Sequence, residues 1–120
     1  MQGFPFVSTA TEDIAWLSVP EVADRLGIGV SRVHQLRRDR QLIGLRREDG
    51  LRIPADFLDG AAVVKHLPGV LTLLADGGYS DEEAVGWLFT AEPSLPGTPI
   101  QALRDNRGTE VKRRAQASAL

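Results

Sequence analysis

From residue 18 onward the apolar positions recur at helical spacing, in short blocks separated by glycine or proline. Val22, Ala23 and Leu26 fall at i, i+1 and i+4 and mark one face of a helix. Ser18, followed by Glu21, has the form of a capping box, and Pro20 sits in the first turn, where N–H groups have no intrahelical acceptor. Leu17 is placed to staple the helix start from outside. Gly27 falls where that helix should stop, and Gly27-Ile28-Gly29 makes a tight turn. A second helix is predicted from about Val30 to Asp39. Val30, Val33 and Leu36 face inward, while Ser31, Arg32, His34, Gln35, Arg37 and Arg38 face elsewhere. Leu42 to Arg47 and Leu51 to Pro54 then read as two strands, with Asp49-Gly50 a hairpin signal between them. Helix, turn, helix and hairpin in that order describe a winged helix-turn-helix of minimal size.

The downstream pattern is helical. Ala55 to Leu58 reads as a short helical turn that Asp59-Gly60 breaks, and residues 61–67 read equally as a short strand or a helix end. Pro68 starts a helix through about Asp76 that Gly77-Gly78 stops. Ser80-Asp81-Glu82-Glu83 opens another, with acids where the helix dipole favours them. Residues 91–99 form a loop, Thr98-Pro99 caps a further helix, and a last one is expected from Thr109 to about Ser118. The expected fold is mainly α with a small β-hairpin wing. A flexible N-terminal arm (1–15) precedes the winged helix-turn-helix (16–58), and a helical C-terminal domain (59–120) follows. Trp16 and Trp87 read as core.

Composition excludes more than it suggests. The 120 residues have a hydrophobic share of 42% and a charged share of 25%, an ordinary globular balance. Without cysteine there is no disulfide, thiolate nucleophile or zinc finger. No His/Asp/Glu spacing suggests a metal site, no nucleophile–base constellation appears, and Gly77-Gly78 lacks the Lys-Ser/Thr of a phosphate loop. The chain therefore reads as a non-enzyme without cofactors. No apolar run is long enough for a membrane and the N-terminus lacks a basic signal region, which points to a cytoplasmic protein.

The net charge of −2 hides a distribution. Residues 30–47 hold six arginines against Asp39 alone, whereas residues 55–106 sum to −6. A basic patch on an acidic body concerns partners rather than fold. On the second helix, Ser31, Arg32 and Gln35 suit base edges, since Arg pairs bidentately with guanine and Gln with adenine. Arg37, Arg38 and Arg40 suit phosphates, and Arg46, Arg47 and Arg52 of the hairpin suit the backbone or the adjacent minor groove. For Arg38, Arg40 and Arg52, solvation or pairing with Asp39, Glu48 or Asp49 is an equal alternative. His34 reads either as a groove contact or as a partly buried packing side chain. Double-stranded DNA is the implied partner. No heptad run supports a coiled-coil dimer, so a monomer is the default.

Two resemblances add to this reading. Leu17 to Gly27, with the basic second helix and Gly50-Leu51-Arg52-Ile53-Pro54, resembles excisionase- and MerR-like winged helices. Lys65 to Thr72, Asp76-Gly77-Gly78-Tyr79, Trp87-Leu88-Phe89-Thr90 and Val111 to Ala117 resemble an actinobacterial family of small DNA-binding proteins, over about residues 16–120. That resemblance implies a transcriptional regulator or nucleoid-associated factor without enzymatic activity. Some relatives of this type carry a longer acidic N-terminal extension that a serine/threonine kinase modifies. Here the arm is short, and Thr9 and Thr11, beside Glu12 and Asp13, are its candidate phosphorylation positions. Trp87-Leu88, Thr98-Pro99-Ile100 and Gly108 to Val111 also resemble the toxin-binding domain of one antitoxin class. That implies an alternative, a protein-interaction module docking a partner through its C-terminal helices.

Overall fold

Strand β1 (Trp16–Ser18) leads directly into helix α1 (Val19–Leu26), and the capping box fixes the junction. In the computed structural model, which describes residues 14–118, the Glu21 N–H donates to Ser18 Oγ (3.2 Å). The Ser18 N–H donates in turn to Glu21 Oε1 (2.7 Å). The latter bond, the larger cause, holds the Glu21 carboxyl below the ordinary carboxylate range, and nearby Arg52 adds to the effect. Gly27 ends α1 at φ +70°, the left-handed geometry that favours glycine, and the Ile28 N–H closes back on the Ala23 carbonyl at 3.0 Å.

Helix α2 spans Val30–Arg38. Val33 is fully buried and Leu36 half-buried, but Val30 is exposed, contrary to the inward face expected of all three. Each step of three residues falls about 60° short of a full turn, so a stripe at i, i+3, i+6 spreads over about 120°. Centred on Val33, it leaves Val30 on an open flank at the first turn.

The hairpin of β2 (Leu45–Arg47) and β3 (Gly50–Pro54) forms with Arg47 opposite Gly50. Strand β1 occupies the other edge of β3, pairing Trp16 with Pro54 and Ser18 with Arg52, so the antiparallel sheet has the order β1-β3-β2. The run predicted as strand from Leu42 lies outside the sheet at first, with Leu42, Ile43 and Gly44 buried before β2 begins. Gly44 lies so close to β3 that a Cβ there would come within 2.8 Å of the Arg52 carbonyl oxygen and 3.0 Å of Ile53 Cγ1. Gly44→Ala should therefore destabilise the protein by about 1–3 kcal/mol, an overpacking cost. A lowered urea midpoint with an unchanged slope checks this.

Of the arm expected over 1–15, only residues 14 and 15 lie among those described. Ile14 is buried, and the Ala15 carbonyl accepts from the Ala55 N–H at 2.8 Å. These residues therefore already belong to the folded body.

After a 3₁₀ turn (Ala55–Phe57), β4 (Leu58–Asp59) and β5 (Ala62–Val63) pair around Gly60, which settles the open reading of 61–67 as a short strand. Helices α3 (Leu67–Asp76), α4 (Asp81–Leu88), α5 (Pro99–Arg104) and α6 (Gly108–Ser118) complete the chain. Ser80 and Glu83 form the second capping box, at 2.9 and 3.1 Å. At the start of α6, Gly108 has no Cβ, and the His66 ring ahead of α3 fills that space.

One apolar core runs from Ile14 to Ala115 through both halves. Phe57 is fully buried, and its ring lies 5.9 Å from that of Phe89 at the end of α4. Trp16 and Trp87 pack against this core while remaining partly exposed, so both are rim residues and not the interior ones expected. Trp87 spends its indole N–H on Ser118 Oγ at 3.2 Å. Arg104 Nη1 donates to the carbonyls of Asp56 (3.0 Å) and Leu58 (2.6 Å), tying α5 to the segment that joins the halves. No helix among the described residues is long and apolar enough to cross a membrane.

Candidate nucleic-acid interface

On a 3.6-residue helix, Ser31, Gln35 and Arg38 lie within about 60° of one another, with Arg32 beside them and Val33 opposite. Burial of Val33 against α1 therefore turns this stripe outward, and all four polar side chains are exposed. Two of the four are cationic and two are uncharged hydrogen-bonding groups, a mixture suited to a surface carrying both phosphates and base edges.

Arg37 lies round the helix from that stripe, toward the Val33 side. It is half-buried, its Nη1 donates to His34 Nδ1 at 3.2 Å, and its Nε is enclosed without an acceptor among the described residues. His34 is correspondingly half-buried, with its ring nitrogen engaged by its own helix.

Arg40 follows the end of α2 at φ +59°, a left-handed conformation that costs a residue with a Cβ about 1–2 kcal/mol. Its Nη1 reaches Asp81 Oδ1 at 3.1 Å, in the first turn of α4, and the carboxylate there also lies at the favourable end of the helix dipole. Arg40 thus bolts the end of α2 to the C-terminal half. Neither Asp39 nor Glu48, the acids nearest in sequence, takes that role.

The wing divides its arginines. Arg46 is exposed without an ion-pair partner among the described residues. Arg47 is exposed, and its guanidinium carbon lies 4.5 Å from the Trp16 ring centroid, a cation–π contact from β2 across β3 to β1. Arg52 turns inward: Nη1 donates to the Leu51 carbonyl at 3.0 Å and Nη2 stands 4.0 Å from Asp49 Oδ2.

Of the ten residues proposed from sequence, the structure exposes six on α2 and the wing: Ser31, Arg32, Gln35, Arg38, Arg46 and Arg47. His34, Arg37, Arg40 and Arg52 are half-buried in intramolecular contacts. The missed signal is Trp16, whose place on the edge strand makes it the platform for Arg47. Thr9 and Thr11 lie outside the described residues. Of the residues carrying the antitoxin resemblance, Leu88, Pro99, Ile100, Gly108 and Val111 are buried, Trp87, Thr98 and Glu110 are half-buried, and Thr109 is exposed. No group of three or more His, Asp or Glu side chains among the described residues could hold a metal ion.

Two family models divide the chain between them. One, described as the wHTH domain of DNA-binding protein Rv2175c, matches residues 7–58, and the other, the Rv2175c C-terminal domain of unknown function, matches residues 64–119. A curated relative, DNA-binding protein Rv2175c of Mycobacterium tuberculosis (strain ATCC 25618 / H37Rv), is 45% identical over 114 residues, covering 84% of this chain and 78% of the relative. The NMR structure of Rv2175c matches with a TM-score of 0.82 at 42% identity, over 90% of this chain and 83% of that one.

Proposed function

Because this chain belongs to the family of DNA-binding protein Rv2175c, we propose that it binds duplex DNA and acts as a transcriptional regulator or nucleoid-associated factor. The exposed polar stripe of α2 carries this reading. It lies on the second helix of a helix-turn-helix, the element that enters the major groove in such folds. Arg32 and Gln35 then face base edges, while Arg38 faces a phosphate at the groove wall. Arg46 and Arg47 place the wing on the backbone, with Trp16 holding Arg47 extended. The half-buried Arg37, Arg40 and Arg52 hold α2 and the wing in position. The 45% identical relative is a DNA-binding protein, and both domain families named for it match this chain.

Salt dependence tests the reading. With Arg38, Arg46 and Arg47 on phosphates, the logarithm of affinity should fall against the logarithm of salt with a slope of about −2.7, or roughly 40-fold for a fourfold rise in salt. Fluorescence anisotropy of a labelled mixed-sequence duplex, titrated with the full chain at about 50 and 200 mM salt, measures it. Absence of binding at the lower salt, or an affinity indifferent to salt, would rule the proposal out.

A further inference from the structure

Among the described residues one large apolar side chain is exposed, Val30, at 43% of its surface. Isolated exposed apolar residues are ordinary on protein surfaces, so its position is what matters. Val30 is the first residue of α2, ahead of the polar stripe and one turn before His34. Recognition helices meet base edges with their N-terminal residues. The major-groove edge of DNA offers one apolar feature, the 5-methyl group of thymine.

Gly29 strengthens the case. It is the N-cap of α2, at φ −82° and ψ 162°, an extended geometry open to any residue, and a Cβ built there meets nothing within 4 Å. Neither strain nor crowding demands glycine. Ser, Thr, Asp or Asn would cap the helix with a side-chain oxygen, and here no such bond is made. The first turn of α2 is therefore left without a side-chain cap, and the approach to Val30 from that end is not crowded by a side chain at position 29.

Resting on the reading of α2 as the groove helix, we propose that Val30 is a specificity-determining residue that selects thymine by packing its methyl groups on the thymine 5-methyl. The ligand feature is therefore an apolar group on a base, distinct from the hydrogen bonds of Arg32 and Gln35. Burying one methyl group against another is worth about three- to tenfold in affinity.

The probe is a duplex enriched from a random pool by the full chain, made once with thymine and once with deoxyuridine, which removes only that methyl. Wild type should bind the thymine duplex about three- to tenfold more tightly. Val30→Ala should bind both forms alike, while keeping an unfolding midpoint near that of the wild type, because nearly half of Val30 is exposed and alanine is the better helix former. Equal binding of both duplexes by wild type, or full discrimination retained by Val30→Ala, overturns the inference and leaves DNA binding intact. Failure to enrich or bind any duplex at low salt defeats the underlying reading itself.

Discussion

Phe57→Ala is expected to remove about 3–5 kcal/mol of stability, the usual cost of emptying a buried aromatic site. That is a large part of the roughly 5–15 kcal/mol by which a domain is stable. Phe57 has no exposed surface and stands in the 3₁₀ turn between the wing sheet and the β4–β5 hairpin. Its ring meets Phe89 at 5.9 Å and a tilt of 33°, so truncation leaves a void that faces both halves. The loss should be felt by both. Trp16 reports on the first half and Trp87 on the second, which allows a direct check. Single-tryptophan variants, with the other replaced by Phe, should show coincident denaturant transitions in the parent and equal downward shifts on Phe57→Ala. A shift confined to one tryptophan would show two independently folding units.

The triple variant Arg32→Ala, Arg38→Ala, Arg46→Ala is expected to weaken duplex binding by about 10²–10⁴-fold, taking roughly 1–3 kcal/mol for a base contact and smaller amounts for the phosphate contacts. All three side chains are exposed, so stability should stay within about 0.5 kcal/mol of the parent. The salt slope should also become shallower by about 0.9 for each phosphate left without its arginine. Arg37→Ala and Arg52→Ala provide the contrast. Their guanidinium groups engage His34, Leu51 and Asp49, so their removal should lower the unfolding midpoint while leaving the salt slope nearly unchanged. The same loss of affinity from Arg52→Ala as from the triple variant would contradict the assignment of the exposed face.

Local signals made much of this fold legible. The Ser18 capping box, the helix start at Ser80, the Gly27 stop and the Asp49-Gly50 hairpin depend on residues a few positions apart, and each formed as the sequence indicated. Strand β1 did not show itself, because three residues cannot display an alternation, and its partners Arg52 to Pro54 lie far along the chain. The stripe of α2 was readable because burial of Val33 fixes which residues face out. The placement of its arginines was not readable, since that depends on interactions at long range. Arg40 finds Asp81 across 41 positions, and Arg47 finds Trp16 through a strand order that sequence does not announce. Val30 deceived because a three-residue spacing imitates an inward stripe while drifting around the helix.

Arg104 brings a final consequence. By donating to the carbonyls of Asp56 and Leu58, it holds the connecting segment by its backbone, where a free linker would rotate. A joint held in this way transmits orientation. A torque applied to α5 would therefore reach the wing sheet through Asp56 and Leu58 as rotation of a stiff joint, and not be lost in a slack tether.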